Sequence, residues 1–176
     1  CDGGHNHVAW VEALEAGAEA WRAARPQLSS GTIRAHCGAA AQSDGHVLLF
    51  GGSRPGQYVT ERVERLDPVT GVCTALPPLL ERRETFASGT LADGRVVLAG
   101  GYGLGGFLSS AEVYDPAAGI STALPPMSRA RHYAAGVVLD DGRFAVIGGW
   151  DGGERLASGE ALDLRTSTWQ ALPDLE

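Results

Sequence analysis

The sequence predicts an all-β chain built from one four-stranded antiparallel unit repeated radially, and three observations carry that prediction. Glycine pairs stand at Gly51-Gly52, Gly100-Gly101 and Gly148-Gly149, at steps of 49 and 48 residues, a period that marks repeat architecture. Each pair closes a short apolar run of strand length, "HVLLF", "RVVLA" or "RFAVI". The 25 glycines and nine prolines fall at regular turn positions between such runs, so they act as punctuation and do not form a low-complexity tract.

Each unit reads as four strands in order. An apolar run such as "AAGVVLD" leads into Asp44-Gly45, Asp93-Gly94 or Asp141-Gly142, where glycine accepts positive φ and a tight hairpin is expected. The second strand runs from that hairpin to the glycine pair. The third carries Glu64, Glu112 or Glu160, followed three residues later by Asp67, Asp115 or Asp163, as in "AEVYDP". A turn such as Asp67-Pro68-Val69-Thr70-Gly71 leads to the fourth strand, which ends at Leu76-Pro77, Leu124-Pro125 or Leu172-Pro173. An arginine, Arg34, Arg83 or Arg131, precedes each hairpin glycine by 11 residues. The first two strands are expected to be apolar on both faces and the last two to alternate.

A shift of 148 residues places Glu160 on Glu12, Leu162 on Leu14 and Trp169 on Trp21, so a fourth, partial copy opens the chain. Propensity alone would make residues 10–25 a helix; the register with 160–169 favours strands, because tertiary context overrides propensity in sheets. "CDGG" at the start resembles "WDGG" at 150–153, which has the chain begin just after a glycine pair. The resulting organisation is a single domain, 1–176, with an outer half-blade at 1–28 and blades at 29–77, 78–125 and 126–176.

The net charge is -7 and all 14 basic residues are arginine, scattered among 21 acids, which argues against a nucleic-acid partner. No apolar run reaches the length of a membrane span. The three cysteines lack metal or disulfide spacing; Cys37 and Cys73 lie in apolar runs and are expected to be buried thiols. "HNH" at His5–His7 is read as a solvated loop.

Taken together, the period near 50, the glycine pair closing the second strand, the acidic-aromatic-Asp third strand and the fourth-strand Trp21 and Trp169 resemble kelch-repeat β-propellers. The resemblance implies kelch-type β-propeller blades, four-stranded antiparallel sheets arranged radially. Cys73 and Ser121 replace the fourth-strand tryptophan in the middle repeats, which suggests looser packing there. Such rings need at least four blades, so three and a half leave an incomplete ring in this chain, to be completed by another chain or a missing segment.

Kelch propellers bind at a mouth formed by the loops between second and third strands and the loops entering the first. That resemblance nominates Arg34, His36, Arg54, Arg83, Tyr102, Arg131, His132, Tyr133 and Trp150 as ligand-binding residues. The repeated arginines are read either as a carboxylate clamp or as ties to neighbouring carbonyls and the repeated glutamates. Tyr102 and Trp150 either stack on a ligand or pack over their own glycine pairs. The same loops also carry Glu84, Leu104, Phe107, Asp151 and Glu154. No catalytic constellation, metal site or cofactor motif is found. The expected function is a non-catalytic module binding a protein, peptide or glycan. The alternative is a kelch-type enzyme acting on a sugar or small acid, resembling the mutarotases or, less closely, the copper oxidases.

Overall fold

The computed structural model describes the backbone of residues 11–13 and 22–24, and residues 34–53 and 58–175 in full. No helix occurs among them. Cys1, His5, His7 and Trp21 lie outside the described residues, as does most of the segment that propensity would make helical. The described parts of that segment are strands β1 (Val11–Ala13) and β2 (Arg22–Ala24), paired antiparallel with Glu12 opposite Ala23. The last repeat sets Glu160 opposite Ala171, the same register 148 residues later.

Three four-stranded antiparallel sheets follow, each ordered as the chain runs. The first blade holds β3 (Gly38–Ala41), β4 (Val47–Phe50), β5 (Val63–Leu66) and β6 (Cys73–Leu76). The second holds β7 (Ala87–Thr90), β8 (Val96–Ala99), β11 (Ala111–Asp115) and β12 (Ile120–Leu124), with a small hairpin, β9 (Tyr102–Gly103) and β10 (Gly106–Phe107), between its middle strands. The third holds β13 (Ala135–Val138), β14 (Phe144–Ile147), β15 (Gly159–Asp163) and β16 (Thr168–Leu172). No closed ring forms among the described residues.

The Asp-Gly hairpins have three-residue loops. Gly94 N–H donates to Leu91 C=O at 2.9 Å, Leu91 N–H donates to Arg95 C=O at 2.8 Å, and Gly94 takes φ +87. That is the hairpin form in which glycine sits in the left-handed region after a turn. Asp93 Oδ1 accepts Arg95 N–H at 3.1 Å, and Asp44 and Asp141 repeat the contact with His46 and Arg143.

Blades stack face to face, so the middle strands of the second blade are covered twice. Val96 and Leu98 of β8 join Leu48, Phe50 and Tyr114 in one core, while Val97 and Ala99 join Phe144 and Val146 in the other. Full burial of Phe50 or Phe144 stabilises the stack by roughly 1.5–3 kcal/mol each. The expected burial pattern is corrected here. The second and third strands are the buried ones, with β11 and β15 buried through their first four residues, and the first strand is only part-buried. The physical reason is position within the sheet: first and fourth strands are its edges, and only the two middle strands have a neighbour on every side.

The expectation of two buried thiols also fails. Cys37 is exposed, because it lies in the loop that enters β3 and not in the strand itself, and Cys73 is half-buried.

Candidate functional site

The repeated arginines turn into their own blades. Arg83 Nη1 donates to Gly100 C=O at 2.7 Å, and its Nε donates to Glu112 Oε1 at 3.0 Å. Glu112 Oε2 accepts Leu80 N–H at 2.8 Å and Ser121 Oγ–H at 2.7 Å, so the carboxylate is bonded on both oxygens. Arg34 bonds Gly51 C=O and Glu64, and Arg131 bonds Gly148 C=O and Glu160, in each case with Nη1 on the carbonyl and Nη2 on the carboxylate. Both side chains of the Arg83–Glu112 pair keep 1% of their exposure. A guanidinium so enclosed and so occupied offers no donor at the mouth. The backbone carbonyls of the same arginines face the preceding blade: Gly52 N–H donates to Arg83 C=O and Gly101 N–H to Arg131 C=O, both at 2.9 Å.

Two residues after each arginine the chain enters the left-handed region without glycine: His36 at φ 59, Thr85 at φ 52 and Tyr133 at φ 55. Strain of this kind costs about 1–3 kcal/mol per residue and persists only where surroundings enforce it. Here a ladder across blades enforces it, with Thr85 N–H donating to His36 C=O at 3.1 Å and Tyr133 N–H to Thr85 C=O at 2.8 Å. The ladder fixes the three side chains side by side at the opening.

Beside it lies a cluster of rings. Phe107 stacks on His132 at 4.8 Å and 6°, Trp150 meets both edge-on at 5.4 and 5.2 Å, and Tyr133 tilts over His132 at 4.6 Å. Tyr102 closes the row against Phe107 at 5.3 Å, and His36 meets Tyr133 at 6.3 Å. Bridges Glu84–Tyr102 and His132–Trp150 set these loops against the entering segments. His132 is buried, which pushes its imidazole below the ordinary histidine value against the opposing pull of Glu84. Tyr102, Phe107, Tyr133 and Trp150 remain exposed. In the loop after Trp150, the backbone N–H groups of Glu154 and Gly153 donate to Asp151 and hold its carboxyl down to about 2. Arg129 bonds that carboxylate from the other side.

The kelch motif matches residues 34–80, 85–128 and 131–176, three successive copies that cover most of the chain. The chain belongs to the kelch-repeat family. No curated protein matches the sequence. Kelch repeats commonly mediate protein binding.

Within this kelch chain the structure gathers His36, Tyr102, His132, Tyr133 and Trp150 at one opening, and separates Arg34, Arg83 and Arg131 from them into the blade interiors. Arg54 lies outside the described residues. Two residues that the sequence places in the mouth loops without nominating them join the cluster: Phe107, the centre of the ring contacts, and Glu84, whose carboxylate lies 3.5 Å from His36 Nδ1. A signal for Phe107 exists in "GYGLGGF": glycines around a two-residue turn pair Phe107 with Tyr102 and carry it back over the opening. Departures from the kelch pattern in the fourth strand have local solutions. Ser121 bonds Glu112 in place of a ring, whereas Trp169 donates its Nε1–H to Pro125 C=O of the preceding blade at 2.7 Å. No group of three or more His, Cys, Asp or Glu is placed to hold a metal ion among the described residues.

Proposed function

We propose that this kelch chain is a non-catalytic binding module whose partner, a protein or peptide, sits on the mouth of the second and third blades. The observation that carries the reading is the continuous row Tyr102–Phe107–His132–Tyr133, with Trp150 edge-on to Phe107 and His132, which leaves four large rings exposed on strained or tightly turned loops. Exposed tyrosine and tryptophan held rigid in this way are the side chains that dominate protein interfaces, because they bury large area with little loss of freedom. Selection of a displayed peptide library on the wild-type chain tests it. Enrichment of a shared motif that loses at least tenfold in affinity against Trp150→Ala supports the reading. A motif bound equally by Trp150→Ala and Tyr102→Ala overturns it, and a glycan that competes at the same residues would move the partner class without moving the site.

The same proposal has the ring completed by further blades, supplied by another chain or another segment. Gly149 N–H, the counterpart of Gly52 and Gly101, meets no carbonyl of a following blade among the described residues, and the ladder stops at Tyr133 C=O. A particle mass in solution equal to one chain, with the third blade's face protected from hydrogen exchange to the same degree as the second's, would count against completion by a second chain.

A further inference from the structure

Two buried polar atoms at the mouth have no hydrogen-bond partner among the described residues, Glu84 Oε2 and His132 Nδ1. They belong to the same repeat position in adjacent blades, one residue after the buried arginine. Buried polar groups are nearly always paired, so unpaired ones at an opening point to a requirement other than packing. His132 is enclosed by Phe107, Trp150 and Tyr133 and retains 6% of its exposure. Burial holds it neutral at neutral pH, so it adds a π face to the cluster and no positive charge.

Glu84 supplies a carboxylate at one end of the row, and Arg155 pairs opposite Trp150 at the other. Among the described residues Glu84 has one ionic neighbour, the exposed imidazole of His36 at 3.5 Å. The two arginines that precede it in sequence are engaged elsewhere: Arg82 Nε with Glu61 at 2.7 Å, and Arg83 with Glu112. A row of electron-rich ring faces beside a carboxylate whose one ionic neighbour is an exposed imidazole is the arrangement that attracts an ammonium or guanidinium group. The repeated arginines, the natural partners of a carboxylate or phosphate, are sealed inside the blades.

We propose that the cluster of Phe107, His132, Tyr133 and Trp150, with Glu84 as countercharge, receives a basic side chain, arginine or lysine, from the partner protein. The inference rests on the mouth being the binding surface and names the chemistry that surface selects. The cation lies against the exposed rings while the aliphatic stem packs over Phe107.

The test titrates the full chain with four blocked tripeptides, acetyl-Gly-X-Gly-amide, in which X is arginine, lysine, citrulline or glutamate. The readout is the Trp150 indole resonance, assigned with Trp150→Phe. Arginine or lysine is expected to shift it saturably in the millimolar range, about fivefold more tightly than citrulline, which keeps the shape of arginine and lacks its charge. Glu84→Gln is expected to erase most of that preference for the charged peptides over citrulline. Equal binding of citrulline, tighter binding of glutamate, or no shift with any basic peptide overturns the proposal. The two readings fail separately. Library-selected peptides that need Trp150 but carry no required basic residue sink the cation inference alone, whereas selected peptides indifferent to Trp150 sink the mouth reading as well.

Discussion

Gly100 of the second blade and Gly148 of the third share one backbone, both at φ +69, and differ in what lies against them. A methyl group on Gly100 would collide with Arg131 C=O of the next blade and meet Met127 Cε at 3.1 Å. One on Gly148 would find only Leu156 C=O, at 3.5 Å, among the described residues. The first glycine is therefore required twice, by its conformation and by its neighbour, and the second only by its conformation. In this fold the repeated sequence records the conformation, and the seam between blades decides how much each copy matters.

The arginines beneath these glycines give the largest expected effect. Arg83 binds Glu112 Oε1 through Nε and Nη2, at 3.0 and 2.9 Å, while Arg131 reaches Glu160 through Nη2 alone and leaves its Nε without a partner. Removing one member of a buried pair leaves the other charge uncompensated, which costs about 3–5 kcal/mol. Arg83→Met is expected to fall in that range, and Arg131→Met about 1 kcal/mol below it, for the missing charged hydrogen bond. Urea unfolding of the two variants checks the order, and a larger loss for Arg131→Met would break the comparison.

Next come the glycines themselves. Gly100→Ala should lose about 3 kcal/mol or more, the sum of left-handed strain and a forced seam, whereas Gly148→Ala should lose about 1 kcal/mol from strain alone. Equal losses would mean that the third blade is covered in solution as the second is. That outcome would be direct support for a completed ring.

The mouth edge of the second seam adds a pH dependence. His132 has a folded pKa below its unfolded value near 6.5, so below that pH the unfolded chain takes up a proton that the folded one refuses. The stability contributed by the neutral ring is complete above about pH 6.5 and is lost as pH falls from there toward the folded value. Unfolding midpoints measured between about pH 7.5 and pH 5 should decline for the wild type with a component that His132→Phe lacks. An unchanged slope in His132→Phe would show that another group carries it.

Much of this is legible in the sequence itself. The glycine pairs, the Asp-Gly hairpins and the register of Glu12 with Glu160 are periodic, and a period survives translation into structure because every copy solves the same packing problem. The direction of the arginines was not legible. A sequence places Arg83 at the opening of β7 but does not say whether its long side chain points out of the mouth or back along the sheet to Glu112, and that choice depends on a carboxylate 29 residues away. The ring cluster was half legible. His132, Tyr133 and Trp150 stand at repeat positions, whereas Phe107 stands where the third blade has Arg155, so the repeat marks its place but not its ring.

The smallest effect is expected at the turn before the fourth strand, where the repeats disagree. Gly71 and Gly119 take φ +72 and φ +66 there, and the third blade puts Ser167 at φ +55. A side chain in that region costs about 1–2 kcal/mol relative to glycine, and Ser167 recovers part of it only by being exposed to water. Glycine also loses more chain entropy on folding, which offsets some of the relief. Ser167→Gly should therefore stabilise the chain by roughly 0.5–1 kcal/mol, read as a higher urea midpoint with an unchanged slope. No hydrogen bond joins the turn to the Gly148 loop among the described residues, so the gain should be the same in a Gly148→Ala background. A gain that depends on that background would show the third blade yielding as a unit, with its open face setting its stability.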